Sequence, residues 1–286
     1  MSDISTVAVV GAGTMGHGIA QVAAQAGCRV RLVDVVAGAA RAGLERVRDN
    51  LDGAVQRGKA TTAERDAVLG RIEVGDDPAA AVRGADLVIE AVPEDLALKQ
   101  GLFAMFGRTA PPGAVLATNT SSLSVAEIAA SSARPGRVVG MHFFNPAHLM
   151  RLVEVVAHPL TDAEARDTAV ATARRMGKEP IVVRDAPGFA SSRLGVILGL
   201  EAMRMVEEGV ASPEDIDRAM TLGYNHPVGP LRLTDLVGLD VRLAIGRYLH
   251  RMLGERFAPP RILERMVAEG KLGRKSGQGF YRWTDP

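Results

Sequence analysis

The sequence has almost no cysteine and almost no net charge. Cys28 is the only cysteine among 286 residues, so one chain can form neither a disulfide nor a zinc site built from several thiolates. The 34 basic and 33 acidic side chains leave a net charge of +1 and alternate along the sequence without forming blocks. This pattern argues against a nucleic-acid-binding surface. We therefore expect a cytoplasmic protein that binds no metal ion and no nucleic acid.

The sequence also lacks an apolar run of the roughly 20 residues that a membrane-spanning helix needs. Residues 4–28 carry no charged side chain, but they include five glycines and the polar side chains of His17, Gln21 and Gln25. This composition fits neither a membrane helix nor an export signal, so no membrane partner is expected. The hydrophobic fraction of 47% and the charged fraction of 23% are typical of a globular protein with one large domain or two smaller ones.

In the first two thirds of the chain, short apolar runs alternate with segments of helical character. An uninterrupted apolar run such as Thr6–Val10 is typical of a strand that is buried on both faces. We interpret seven runs as strands: Thr6–Val10, Val30–Asp34, Asp86–Val92, Ala114–Thr118, Val138–His142, Leu152–Val156 and Ile181–Val183. Strands that alternate with helices predict an α/β fold with a doubly wound parallel sheet.

Helix starts are marked by a hydroxyl residue followed three positions later by a glutamate, which predicts a capping box. Three segments have this pattern: Thr61–Glu64, Ser124–Glu127 and Thr161–Glu164. Residues 38–70 predict two polar helices joined near Gly58, an insertion longer than a simple crossover between strands requires.

Strand signals end near Asp185, and the rest of the chain has helical spacing. Ser212 followed by Pro213 is typical of a helix N-cap with proline at the first helical position. We therefore predict two domains. Residues 1–185 form an α/β domain with a helical insertion at about 38–70, and residues 186–286 form an all-helical domain.

The first strand is followed by the glycine pattern Gly11-x-Gly13-x-x-Gly16. Such glycines allow a tight turn, a close approach of the backbone to a pyrophosphate, and packing of the next helix. Asp34 ends the second strand, 18 residues after Gly16, where an acid that binds the adenosine ribose is expected. A carboxylate there repels a 2′-phosphate. The sequence therefore predicts a Rossmann-type domain that binds NAD in preference to NADP.

Polar residues follow two later strands of the predicted sheet. Ser121 follows the fourth strand, while His142 and Asn145 lie at the end of the fifth. Ligands of open α/β sheets bind at the carboxyl ends of the strands, so these side chains are expected to face one crevice. Glu154 is an acid within an apolar strand, and a buried carboxylate needs a partner. His142 is the obvious partner, and a histidine paired with a carboxylate is a suitable base for removing a hydroxyl proton. The alternative is that Glu154 lies on the exposed face of an edge strand and has no such partner.

These motifs together resemble the L-3-hydroxyacyl-CoA dehydrogenase family, in the short form that stands alone in bacteria. The resemblance covers nearly the whole chain and rests on GAGTMGHGIA at 11–20, IEAVPED at 89–95, TNTSSL at 118–123, HFFNPAHLMRLVEVV at 142–156, DAPGF at 185–189 and KLGRKSGQGFY at 271–281. It implies NAD-dependent oxidation of (S)-3-hydroxyacyl-CoA to 3-oxoacyl-CoA, and the reverse reduction, in fatty-acid or butanoate metabolism. A four-carbon acyl group fits the short form best.

The resemblance also implies a role for individual residues. His142 would be the catalytic base, Glu154 would orient it, and Ser121 would donate a hydrogen bond to the reacting oxygen. The residues that would contact NAD are Gly11, Ala12, Gly13, Thr14, Met15, Gly16, Asp34, Glu94, Lys99, Ser121, Asn145 and Lys275. Asn50 and Arg57 fall near the family's coenzyme A positions in the insertion. The helical domain would form a homodimer and close over the substrate.

One segment departs from the family pattern. Many members have asparagine in a GFxxNR motif, where it helps to hold the substrate carbonyl oxygen. Here the segment runs from Gly188 to Arg193, and Ser192 stands at the asparagine position. A serine hydroxyl can donate one hydrogen bond, but it is shorter than an amide and lacks the second donor hydrogen. Ser192 is therefore a candidate for the catalytic site.

Three alternatives stay open on the sequence alone. The substrate can be 3-hydroxyadipyl-CoA, which carries a second carboxylate. The enzyme can be an L-gulonate-type hydroxy-acid dehydrogenase, which has the same two-domain plan and needs no coenzyme A. The chain can also be an NAD-binding protein without catalytic activity, although such a protein would have no need of Ser121, His142 and Glu154.

Overall fold

The computed structural model describes residues 4–284 and divides them into two compact units, with the division after Ala186. We call residues 4–186 the α/β unit and residues 187–284 the helical unit. The α/β unit contains one eight-stranded sheet with strand order β3-β2-β1-β4-β5-β6-β7-β8. Its strands are β1 (Thr6–Val10), β2 (Arg29–Val33), β3 (Ile72–Gly75), β4 (Leu87–Glu90), β5 (Val115–Thr118), β6 (Val138–Phe143), β7 (Leu152–Ala157) and β8 (Glu179–Arg184).

The predicted doubly wound parallel sheet is confirmed for six strands and needs a correction at one edge. β1 to β6 run parallel to their neighbours, but β7 runs antiparallel to β6, and β8 runs parallel to β7. A parallel connection needs a crossover of a dozen or more residues. Only residues 144–151 separate β6 from β7, and they contain no helix, so the chain turns back beside β6.

All seven predicted strands are present, and one further strand was missed. β3 lies at the edge of the sheet and pairs only with β2. Ile72 is its only buried residue, whereas Glu73 and Val74 are exposed. A four-residue strand with one buried side chain has no apolar run, which is the feature that marks the other strands.

Helices pack against the sheet, and the apolar sides of several of them form a core with aliphatic residues of the strands. The helices of the α/β unit are α1 (Gly16–Gln25), α2 (Ala39–Gln56), α3 (Thr62–Leu69), α4 (Pro78–Val82), α5 (Leu96–Thr109), α6 (Val125–Ala129) and α7 (Ala163–Arg175), with a 3-10 turn at Pro135–Arg137. The predicted insertion of two helices is confirmed as α2 and α3, which are joined through Gly58 in a left-handed conformation.

The three predicted capping boxes have different outcomes. Thr61 caps α3 with a complete box, as predicted. Ser124 accepts a hydrogen bond from the amide of Glu127, but its hydroxyl donates to Asp185. The box at Thr161 is wrong: α7 begins one residue later, because the Thr161 hydroxyl donates instead to the carbonyl of Val138.

The helical unit contains five α-helices around its own apolar core. They are α8 (Ser191–Glu207), α9 (Pro213–Gly223), α10 (Pro230–Val237), α11 (Leu239–Leu253) and α12 (Arg261–Ala268), with 3-10 turns at Glu255–Phe257 and Arg274–Ser276. Ser212 caps α9 and Pro213 follows it, as predicted. Throughout the described part of the chain, no helix has the length and apolar character needed to cross a membrane.

Candidate active site

The glycine-rich loop between β1 and α1 has no room for side chains on its inner side. Gly11 has a φ of +99°, and a Cβ atom there would lie 2.6 Å from the carbonyl oxygen of Ala91. A Cβ atom on Gly16 would lie 1.7 Å from the carbonyl oxygen of Gly11. At Gly13, by contrast, a Cβ atom would meet nothing within 4 Å. The middle of the loop therefore borders open space, where a pyrophosphate can approach the backbone.

The start of α1 and the end of β2 complete the dinucleotide region. No side chain caps the first turn of α1, and that turn contains no acidic residue, so its amides and positive dipole end suit a phosphate. Asp34 is half-buried, and its Oδ2 accepts a hydrogen bond of 2.8 Å from the amide of Ala12. Its Oδ1 accepts from the amide of Val36 at 3.0 Å. These bonds hold the Asp34 carboxylate beside the loop, so the residues fit a dinucleotide.

A buried ion pair lies at the carboxyl end of β4. The ammonium of Lys99 donates to Glu90 Oε1 at 2.7 Å, and the two side chains are 1% and 0% exposed. The other oxygen of Glu90 accepts from the hydroxyl of Thr118, and Lys99 also donates to the carbonyl of Val92. Lys99 lies 3.4 Å from Glu94 Oε2. The pair links α5 to two neighbouring strand ends.

Glu94 organises the loop that carries Ser121. Its Oε1 accepts from the Thr120 hydroxyl at 2.5 Å and from the backbone amide of Ser121 at 3.0 Å. The amide of Ser122 donates to the same oxygen at 3.3 Å. Through Lys99, these contacts connect the loop to the buried pair. The structure thus brings together three of the predicted residues, Glu94, Lys99 and Ser121.

His142 and Glu154 form the contact that the sequence predicted. They are directly opposite in the antiparallel register of β6 and β7. His142 Nδ1 lies 2.7 Å from Glu154 Oε2, and the two residues are 6% and 0% exposed. Because the carboxylate can only accept, Nδ1 carries the proton, and Nε2 is the basic nitrogen. The alternative in which Glu154 lies on an exposed face is wrong.

The segment between β6 and β7 is fixed at both ends. The amide of Phe143 donates to the side chain of Asn119 at 2.8 Å. The ammonium of Lys178 donates to the carbonyls of Ala147 and Met150 at 2.6 and 2.8 Å, and its burial lowers the pKa of Lys178. Asn145 lies exposed between these anchors.

The predicted coenzyme A residues lie on α2 and at its end. The amide group of Asn50 donates to Gln21 at 3.1 Å and lies 3.4 Å from His148 Nδ1. Arg57 is exposed at the C-cap of α2. Burial, followed by the positive charges of His17, Lys178 and Arg57, lowers the pKa of His148. This part of the surface is therefore positive in character.

The remaining predicted residues belong to the helical unit. Ser192 is half-buried in the first turn of α8. Lys275 is exposed, and its ammonium lies 2.6 Å from the carboxylate of Asp240 at the start of α11. Residues 4–284 contain no cluster of three or more His, Cys, Asp or Glu side chains that could hold a metal ion.

Sequence reasoning assigned no role to Glu90, Asn119 or Lys178. Glu90 is the last residue of a predicted apolar strand, so its acidic side chain at that position was the available signal. Asn119 directly follows the next strand along the chain. Lys178 gives no such signal, because only the tertiary fold brings it beside the segment between β6 and β7.

Comparison with known proteins agrees with this geometry. The model of the 3-hydroxyacyl-CoA dehydrogenase NAD binding domain matches residues 6–186, and that of the family's C-terminal domain matches residues 188–283. A probable 3-hydroxybutyryl-CoA dehydrogenase of Bacillus subtilis is 46% identical over 284 residues, which cover 99% of each chain. A 3-hydroxyadipyl-CoA dehydrogenase of Escherichia coli is 43% identical over 99% of this chain and 60% of that longer protein.

Comparison with solved structures indicates the same family. The (S)-3-hydroxybutyryl-CoA dehydrogenase of Ralstonia eutropha superimposes with a TM-score of 0.94 and 38% identity, covering 99% of this chain and 100% of the other. The predicted fold class, the NAD cofactor and the oxidoreductase activity are thereby confirmed. The chain belongs to the 3-hydroxyacyl-CoA dehydrogenase family and is an NAD-dependent oxidoreductase.

Proposed function

We propose that the enzyme interconverts (S)-3-hydroxybutyryl-CoA and acetoacetyl-CoA, with His142 as the base. The observation that carries this proposal is the buried 2.7 Å contact between His142 Nδ1 and Glu154 Oε2. The four-carbon acyl group is supported by relatives named for 3-hydroxybutyryl-CoA, which match the chain over its full length.

During oxidation, Nε2 of His142 accepts the proton of the substrate hydroxyl. Glu154 holds the ring through Nδ1, so that the tautomer and the orientation of the base are fixed, and it stabilises the imidazolium that forms. In the reverse direction the protonated Nε2 donates to the carbonyl oxygen of the 3-oxo group. General acid–base catalysis of this kind contributes about 10²- to 10⁴-fold to the rate.

When bound, NAD would supply the acceptor for the hydride that leaves carbon 3 of the substrate during oxidation. Gly13 and the first turn of α1 would hold its pyrophosphate, and Asp34 would hold its adenosine ribose. Glu94, Ser121, Asn145 and Lys275 are proposed as further contacts. We assign Lys99 a supporting role, since its ammonium already contacts Glu90, Glu94 and the carbonyl of Val92.

The substrate contacts are proposed on three sites. Ser121 donates a hydrogen bond to the reacting oxygen, from a loop held by Glu94. Ser192 takes the asparagine position of the family. Asn50 and Arg57 contact coenzyme A, whose negative phosphates suit the positive surface around Arg57.

We further propose that the enzyme is a homodimer joined through the helical unit. Apolar side chains on three of its helices are more than a third exposed: Leu194, Leu198, Leu236, Val237 and Val241. Exposed apolar clusters mark association sites. Light scattering of a Leu194→Glu/Leu198→Glu variant should show a monomer. A Leu160→Glu variant should remain dimeric, because Leu160 is equally exposed but lies on the α/β unit.

The decisive experiment follows NADH absorbance with acetoacetyl-CoA, and NAD reduction with L-gulonate. We expect turnover of acetoacetyl-CoA, a lower kcat/KM for L-gulonate, and loss of both activities in His142→Gln. A higher kcat/KM for L-gulonate would overturn the assignment of the substrate, since that acid carries no coenzyme A.

A further inference from the structure

Arg242 occupies a core position of α11. The buried residues of this helix recur at helical spacing and are otherwise small or aliphatic: Leu239, Arg242, Leu243, Gly246 and Leu249. Arg242 is only 7% exposed. Arginine is rarely buried to this extent unless it is paired.

The buried guanidinium has no counter-charge within the described residues 4–284. Its Nε forms no hydrogen bond, and among residues 4–284 no carboxylate pairs with the group. Burial lowers the pKa of Arg242 to about 10, so the group stays charged at neutral pH. A buried and uncompensated charge is strongly unfavourable. Residues 4–284 supply no negative charge to compensate it, so the group is suited to an anionic ligand.

The position of the guanidinium relates it to Ser192 within the helical unit. A Cβ atom on Gly195 would lie 3.3 Å from Nη1 of Arg242. Gly195 follows Ser192 by three residues in α8, so both lie on one face of the helix, about 5–6 Å apart. A larger side chain at Gly195 would crowd the guanidinium. Gly195, the residue beside the Arg242 guanidinium, thus lies one helical turn from Ser192.

The nearest acid in the sequence does not neutralise Arg242. Asp240 precedes it by two residues in α11, and residues at that spacing do not share a helix face. The carboxylate of Asp240 is instead 2.6 Å from the ammonium of Lys275.

We propose that Arg242 is a specificity-determining residue that binds the terminal carboxylate of a dicarboxylic 3-hydroxyacyl-CoA. This inference rests on the proposed function and extends its range of acyl groups. A guanidinium binds a carboxylate through two parallel hydrogen bonds. Burial among aliphatic residues suits a carboxylate at the end of a methylene chain, whereas the coenzyme phosphates are assigned to exposed Arg57.

The test compares 3-hydroxyadipyl-CoA with 3-hydroxyhexanoyl-CoA, whose six-carbon chains differ only in the end group. We expect the wild type to have the higher kcat/KM for 3-hydroxyadipyl-CoA. Arg242→Met should lower that value about ten- to hundredfold, mainly through KM, and leave 3-hydroxyhexanoyl-CoA unchanged. Arg247→Met is the matched control, because Arg247 lies on the same helix but is exposed and paired with Glu264.

Three results would overturn the inference. The first is a wild-type preference for 3-hydroxyhexanoyl-CoA, and the second is an equal loss of kcat/KM on both substrates in Arg242→Met. The third is dissociation of the dimer in Arg242→Met, which would assign the counter-charge to a second copy of the chain. Thermal melting should show a stable Arg242→Met protein, since removing a buried unpaired charge is not destabilising. If the variant does not fold, the wild-type preference alone decides. A wild type that turns over no hydroxyacyl-CoA at all would instead overturn the proposed function.

Discussion

His142 and Glu154 face each other across the antiparallel pair of strands β6 and β7, with 2.7 Å between Nδ1 and Oε2. Their Cα atoms are register partners, so the ladder itself fixes the distance between base and carboxylate. They are twelve positions apart in sequence, and the residues between them include the whole turn between the two strands.

Substitutions of His142 and Glu154 should have large and non-additive effects on turnover. His142→Gln should lower kcat by about 10²- to 10⁴-fold, because it removes the proton acceptor. Glu154→Gln should lower kcat less, and the double variant should be no worse than His142→Gln, since both residues act on one proton. Fluorescence titration should show nearly unchanged NADH binding. If His142→Gln kept more than about a tenth of the activity, His148 would be the next candidate for the base.

Asp34 should determine the choice of cofactor. Asp34→Ala removes the carboxylate that opposes a 2′-phosphate, and it also removes two hydrogen bonds to the backbone amides of Ala12 and Val36. The KM for NAD should rise, and the ratio of kcat/KM for NAD over NADP should fall. Asp167→Ala, an exposed change on α7, should alter neither value. Equal use of NADH and NADPH by the wild type would contradict the role of Asp34.

The buried pair of Lys99 and Glu90 should be important for stability. Lys99→Met leaves a carboxylate buried without its partner, which should lower the free energy of unfolding by about 3–5 kcal/mol. Adding Glu90→Leu should recover part of this loss. Lys271→Met breaks an exposed pair with Glu269 and should cost less than about 1 kcal/mol. Urea denaturation measures all of these, and equal losses for Lys99→Met and Lys271→Met would contradict the prediction.

His148 should make the fold sensitive to mild acid. Burial and nearby positive charges lower its pKa from 6.5 in the folded state, so the unfolded chain binds a proton first as the pH falls. Stability should therefore decrease as the pH drops through 6.5 towards the lowered folded value. His148→Gln should show a smaller decrease in melting temperature over this range. The same decrease in both proteins would assign the acid sensitivity to other groups.

Ser192 should have a modest effect on the rate. Ser192→Ala removes one neutral hydrogen bond, which corresponds to a loss of up to about tenfold in kcat. NAD affinity should not change, since this side chain is assigned to the substrate. Ser192→Asn, which restores the family's residue, should keep or raise kcat. Unchanged kinetics in Ser192→Ala would show that the hydroxyl does not contact the substrate.

Local patterns made much of the fold predictable. The run Thr6–Val10, the glycines that follow it and Asp34 lie close together in sequence, so interpreting them requires only two neighbouring strands and the turn and helix between them. β3 was missed for the same reason, because a single buried residue, Ile72, produces no pattern. The start of α7 was misplaced because the hydroxyl of Thr161 is used in a contact with Val138.

The sequence by itself determined the dinucleotide-binding segment, the seven principal strands and the change to helices after residue 185, because each depends on spacing between near neighbours. Only the tertiary structure decided that β7 runs antiparallel to β6 and thereby places Glu154 beside His142. It also decided that Lys99 meets Glu90 away from water and that Arg242 is buried with no carboxylate partner among residues 4–284. Whether a charged side chain is paired depends on residues that the fold brings together from distant parts of the chain. The spacing of residues in the sequence does not indicate which residues these are.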